Sequence, residues 1–440
     1  MSLNTMLLRK PMFPLLPRAA ARACLLSSGQ TQTQTFPVGQ GGRLVVDMAK
    51  AAAVVKVTAQ WIDSCSLTMS RLPAGTDPDC CDVEGLRAMK QVQHLSSLDA
   101  AGLTLQADKT LAQLTLAHDQ ERAGEDWEGT YLVEAVVPEL FSLNVSVSHG
   151  NVSVSNKLKG DCQIQLDRGD IGVGTVRGET IRLSTGRGHV KVNELEGNVD
   201  IEATADVCAR LINGAKVKID ATGGGDPSVT VGALYSSGAH IASAGDVRVS
   251  SCHGRIAVHT AGTTGSVNLS SVNGTAQLSA GEGGATVHMD VMEEGTDSYI
   301  RSVGGDVNIS MSQQVDADLE MAASSIKLPS TFEGDTQTDK AVGRINGARV
   351  EPSRAAARFG SISSSSQDDA GGGKIDLVGA RGQSLRQYFP NDPATSSVRP
   401  KLSVMAKEGS VVLEILSWAD NIVRRCEARD AVAALERNRG

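Results

Sequence analysis

Four groups of residues have types that could do chemistry. The densest is DPDCCD, residues 77–82, with Cys80 and Cys81 among Asp77, Asp79 and Asp82. Adjacent cysteines cannot easily bite one tetrahedral metal, and no second cluster has zinc spacing. The stretch therefore reads as a solvated loop, not a metal site. Cys252 and His253 are neighbours. A Cys–His nucleophile pair needs converging side chains, and sequence neighbours on a turn generally diverge. Asp161, Asp167 and Asp170 stand among Arg168, Arg177 and Arg182, the residue types with which some parallel β-helix enzymes cleave acidic polysaccharides; solvated coil edges have the same composition. Gly172, Gly174 and Gly178 imitate a nucleotide-binding glycine motif. They precede strand patterns, whereas phosphate binding needs a helix N-terminus. No catalytic, cofactor-binding or metal residue is assigned.

The elements that carry these residues are set by composition. The chain has 440 residues, and only 3% are aromatic against 40% hydrophobic. Such a chain builds a thin core from Val, Ile, Leu and Ala. The 46 glycines indicate frequent tight turns. A formal net charge of -8 argues against nucleic-acid binding. Eight scattered cysteines without a C-x-x-C pair read as free thiols of a reducing compartment. No apolar run approaches the ~20 residues of a membrane helix.

A periodicity runs through the middle. Gly150, Gly169, Gly188, Gly245, Gly265 and Gly305 each open a Gly-x-apolar-x-apolar run, and Gly284 opens a looser one. The successive spacings are 19, 19, 57, 20, 19 and 21 residues. Two degenerate copies fill the long gap, one with Val217 and Ile219, the other with Val229 and Val231. Second glycines, Gly197, Gly254 and Gly274, open a second run in most copies. One copy is thus strand, turn, strand, turn, with apolar residues two apart on one face. Such a unit buries its apolar face only by stacking. The expected fold is all-β: a β-solenoid of about 19–20-residue coils with β-rich caps and a short C-terminal helix. A sandwich predicts no such period, and a propeller blade needs one near 40.

The stretch 136–186 resembles the bacterial "putative adhesin" solenoids, a β-solenoid family of unknown function. The matching pieces are His149-Gly150-Asn151, Gly169-Asp170-Ile171, Gly245-Asp246-Val247, Asn273-Gly274 and Gly305-Asp306-Val307. The whole chain is similar to an uncharacterised metazoan protein of the "family with sequence similarity" type that carries this solenoid. The resemblance covers roughly residues 130 to 420, implies the fold, and carries over no catalytic or ligand-binding residue.

The chain divides into a leader (1–42), a β-rich N-terminal cap (43–145), the repeats (146–325), an irregular segment with a Ser/Gly-rich loop (326–373), and late strands with a helix (374–440). Asp420 is the N-cap candidate of that helix, with Ile422, Val423 and Cys426 on one face. Residues 1–46 hold no Asp or Glu but carry Arg9, Lys10, Arg18, Arg22 and Arg43, the composition of a mitochondrial presequence; a cytoplasmic location is the alternative. Five N-x-S/T sequons, at Asn144, Asn151, Asn268, Asn273 and Asn308, follow from the strand pattern. Charge is polarised: residues 265–325 hold nine acidic residues and one basic, Arg301. Glu282, Asp290, Glu293, Glu294 and Asp297 form a candidate docking surface for a basic protein partner. The expected function is a non-enzymatic interaction scaffold in mitochondria. The alternative is a secreted or organellar β-helix enzyme acting on a carbohydrate or polyanion.

Overall fold

The computed structural model describes residues 32–38, 41–72, 93–94, 103–107, 113–118, 130–262, 264–312, 315, 317–328, 343–349, 376–377, 400–417, 419–424 and 426. The DPDCCD stretch, the Ser/Gly-rich loop and residues 1–31 lie outside them.

Within the described residues the chain is a β-solenoid with two walls. In the first wall Val152–Leu158 stacks in parallel on 171–177, 190–196, Val207–Asn213, 229–235, 247–253, 267–273, Ala285–Val291 and Val307–Ser312. In the second wall Ser142–His149 stacks on Cys162–Arg168, 180–185, 198–203, Lys216–Ala221, 238–243, 256–260, 274–280 and Asp297–Ser302. Alternation along each strand sends one set of side chains into the space between the walls. Val190, Val207, Val229 and Val247 form one inward column, and Val199, Val217, Ala239 and Ile256 another, all buried. The buried apolar residues make one continuous core.

The registers correct one detail of the repeat. Val217 and Ile219 sit opposite Val199 and Ile201 in the second wall. The missing first-wall copy is Val207 and Ala209. Ala205 stands where most copies have glycine, and the spacing from Val190 is 17 residues, so the glycine alignment passes over it.

The chain order folds back at both ends. Arg43–Gln60 is a full two-walled rung, flanked by 142–158 on one side and by Gln113–His118 and Thr130–Pro138 on the other. Lys401–Leu416 is likewise a full rung, inserted between Asp297–Ser312 and Asp318–Lys327. Among the described residues each wall therefore contains thirteen parallel strands, about 58 Å of stack at ~4.8 Å per rung. Antiparallel strands then cover the outermost rungs: Ser64–Arg71 and Gln32–Pro37 at one end, Gly343–Arg349 at the other. An uncovered edge invites pairing with another chain, and both long terminal strands are paired on two sides.

The glycines mark the corners. A Cβ on Gly188 would lie 2.0 Å from the carbonyl oxygen of Gly169, and one on Gly169 would lie 2.0 Å from that of Gly150. Gly150 and Gly169 also have positive φ, 128° and 121°. Stacked corners leave no room for a side chain where one rung's backbone rests on the last.

Candidate functional site

The residue after several of the corner glycines, and Asp206 after Ala205, links neighbouring rungs. The Asn151 side-chain oxygen accepts the Asp170 N–H at 2.8 Å, and Asp170 accepts the His189 N–H at 2.7 Å. Asp206 accepts the Ser228 N–H and hydroxyl, Asp246 those of Ser266, and Asp306 those of Ser410. This accounts for the recurrent Gly-Asp-Val/Ile motif: the carboxylate satisfies a corner N–H that the ladder leaves over. Burial pushes the Asp246 carboxyl up, but the Ser266 donors and Arg248 outweigh it and hold the group below its usual value. The Ser410 N–H and hydroxyl hold Asp306 low as well.

The carboxylate–cation set resolves into such links. Asp161 accepts the Thr180 N–H at 2.9 Å, and Asp170 is the corner link above. Arg177 pairs with Glu194 and Glu196 at 3.1 and 2.9 Å. These groups are tied along the wall and do not converge on a shared point. Cys252 and His253 are separated by the strand itself. The thiol sits in the core, where burial pushes its pKa up to about 12. The imidazole lies outside, stacked on Tyr235 at 4.6 Å. Those rings face one another along the stack, so each gives one face to its neighbour in the next rung. Among the described residues, no three His, Cys, Asp or Glu side chains converge as metal ligands. Nor is any helix there long and apolar enough to cross a membrane.

The acidic group divides. Glu282, Glu293, Glu294 and Asp297 are exposed. Asp290 is not part of that surface: it is 4% exposed. The alternation of Ala285–Val291 turns it outward from the core, but the helix at 419–424 covers it. Its Oδ1 accepts from Asn421 Nδ2 at 2.8 Å and meets His288 Nε2 at 3.1 Å. Its Oδ2 accepts from the Ser271 hydroxyl. His288 Nδ1 pairs with Ser310 Oγ at 2.8 Å, and Arg424 donates to that same oxygen at 2.7 Å.

Ser310, His288 and Asp290 thus have the connectivity of a nucleophile, base and orienting carboxylate. Their surroundings give them another role. All three are buried, and Ser310 Oγ already accepts from Arg424 under the helix. The group clasps the helix to the first wall. The residues are one rung apart in sequence, Ser271 to Asp290 by 19 and His288 to Ser310 by 22. Outward polar residues at the repeat spacing are the signal that would have found them.

The helix differs from its expected form. Ser417, not Asp420, is the cap: its hydroxyl oxygen accepts the Asp420 N–H at 3.3 Å and its O–H donates to Asp420 Oδ2 at 2.6 Å. Asn421 faces the wall, while Ile422, Val423 and Cys426 face out. Asn421 Oδ1 is buried without a donor.

A family model described as Toastrack DUF4097 matches residues 133–363. No protein of curated function matches the chain. Among solved structures, a putative lipid binding protein from Parabacteroides distasonis is 13% identical, with 64% of this chain and 90% of that one covered and a TM-score of 0.25. A putative adhesin from Bacteroides fragilis is 9% identical, with 88% and 98% covered and a TM-score of 0.22. A putative cell adhesion protein from Clostridium sporogenes is 5% identical, with 88% and 100% covered and a TM-score of 0.17.

Proposed function

We propose that this chain, which belongs to the Toastrack DUF4097 family, is a non-enzymatic scaffold whose walls and corners hold a protein partner. The observation that carries the reading is where the polar groups go. The corner carboxylates cap the next rung, the buried His–Asp–Ser group holds a helix, and Glu282, Glu293, Glu294 and Asp297 are left exposed. Among the described residues none of these four is ion-paired. Unpaired carboxylates on a rigid wall favour a basic partner.

The acid-free leader supports a mitochondrial setting, and the likeness to a metazoan protein of the same solenoid type belongs with this reading. Changing Glu282, Glu293, Glu294 and Asp297 together to Ser should weaken partner capture while leaving the unfolding transition in place. Unchanged pull-down profiles would refute the reading. N-terminal sequencing of the mature chain, with imaging of a C-terminally tagged form, tests the location. A mature chain starting at Met1 or Ser2 outside mitochondria would refute that part.

A further inference from the structure

The helix at 419–424 is amphipathic the wrong way round for a surface helix. A helix on a protein normally turns its apolar stripe inward. Here the clasp holds the polar side: Asn421 bonds Asp290, and Arg424 bonds Ser310. The rotation that makes those bonds turns Ile422 and Val423 outward, 41% and 58% exposed. Val291, next in sequence to Asp290, is 51% exposed. Val291 and Ile422 are thus each next in sequence to one partner of the Asp290–Asn421 bond, which sets both exposed residues beside the contact of helix and first wall. Glu293 and Glu294 follow Val291 on an exposed turn, in which Glu293 O accepts from Thr296. Around this contact the exposed side chains are thus aliphatic, with two carboxylates on the turn that follows Val291.

We infer that this patch binds a cationic, apolar peptide segment, in which aliphatic side chains cover Val291, Ile422 and Val423 and Lys or Arg pairs with Glu293 and Glu294. The inference rests on the scaffold reading and names the partner's chemistry. Charge complementarity selects this occupant: an anionic or purely apolar segment would leave the two carboxylates desolvated and unpaired. The clasp has a part in it, because without Asn421 and Arg424 held inward the helix could turn its aliphatic side to the wall.

Residues 6–22 of the chain supply a probe of the right chemistry: MLLRKPMFPLLPRAAAR, with four cations and no acid. Gln32 begins the outermost first-wall strand, and Ala285–Val291 stands eleven rungs away, about 53 Å at ~4.8 Å per rung. The 26 residues from Met6 to Gln32 can span up to ~94 Å and the ten from Arg22 at most ~36 Å, so the first half of the stretch has the length to arrive at the chain's own patch and its last cation has not. Binding of a fluorescent synthetic peptide of residues 6–22 is therefore read on the full-length protein and on its Arg9→Ser/Lys10→Ser variant, whose leader has lost the cations within reach.

Saturable anisotropy binding is expected, weakened by salt. The double variant Glu293→Lys/Glu294→Lys should lose roughly tenfold or more in affinity. The double variant Ile422→Ser/Val423→Ser should lose about fivefold, with an unchanged melting curve since both side chains are exposed. Absence of binding overturns the inference, and so does binding that responds to neither variant or to the charge variant alone. If the peptide fails but the four-residue Ser variant still loses its partner in pull-downs, this inference falls and the scaffold reading stands. If the peptide binds as expected while pull-downs are unchanged, the broader scaffold reading falls.

Discussion

Gly188→Ala is the sharpest test of the corner geometry. The added Cβ would lie 2.0 Å from Gly169 O, 2.5 Å from Gly169 C and 3.0 Å from Asp170 Oδ1. Gly188 has no positive φ, so the perturbation is steric, not conformational. Relief requires the two rungs to part at the corner. That opens the Gly169 N–H to Arg187 O bond (2.7 Å), the Ile171 N–H to His189 O bond (2.9 Å) and the Asp170 link to the His189 N–H (2.7 Å). Three hydrogen bonds at about 1 kcal/mol each, plus overpacking of ~1–3 kcal/mol, give ~4–6 kcal/mol. The lower chain entropy of the unfolded Ala variant returns up to about 1 kcal/mol, leaving a loss of ~3–5 kcal/mol. Gly224→Ala is the control, since nothing lies within 4 Å of its added Cβ. Urea unfolding of both variants reads the difference as a midpoint shift at constant slope. A Gly188→Ala midpoint within ~0.5 kcal/mol of the Gly224→Ala control would refute close corner stacking.

Other parts of the structure make separate commitments. Asp246 and Asp306 are held below the unfolded carboxylate value of ~3.9. Their contribution is present above that value and is lost as pH falls through the lower folded one; Asp306→Asn should flatten the acid-side drop in urea midpoint, and an unaltered profile contradicts the assignment. Burial pushes the Cys65, Cys162 and Cys252 thiols up to about 12. An aromatic disulfide reagent at pH 8 should label the exposed Cys426 and leave these three untouched until urea is added; mass mapping of labelled peptides decides it. Asn421→Ala strips a donor from buried Asp290, costing ~1–3 kcal/mol. It should speed proteolysis near 419–426 without shifting global unfolding, and equal cleavage rates would refute the clasp.

Most of the architecture was written in period-two runs opened by glycines. Gly169 with Ile171 and Val173, or Gly254 with Ile256 and Val258, announces a strand with an inward face and a corner before it. The rung at Val207 was not legible, because Ala205 replaces the glycine and the spacing contracts. Spatial order at the ends was not legible either. Lys401–Leu416 carries the right alternation, but nothing local says that it enters between Asp297–Ser312 and Asp318–Lys327. That choice is made by pairing over long sequence separation. The exposed acids could be read from charge alone. Asp290 could not, since its burial depends on a helix 131 residues further along the chain.

The single stacked column of parallel rungs is tested most directly by a cross-link through the native Cys208. Lys191 and Cys208 are register partners on adjacent first-wall strands, and Gly172 is the register partner of Lys191 one rung further away. Adjacent parallel strands lie ~4.8 Å apart, within disulfide reach, whereas two rungs give about 9.6 Å, beyond it. Mild oxidation of Lys191→Cys should give a disulfide to Cys208, identified by mass spectrometry of the joined peptides. Gly172→Cys should give none. A Lys191→Cys protein that stays unlinked, or a Gly172→Cys protein that links equally well, would contradict the solenoid register.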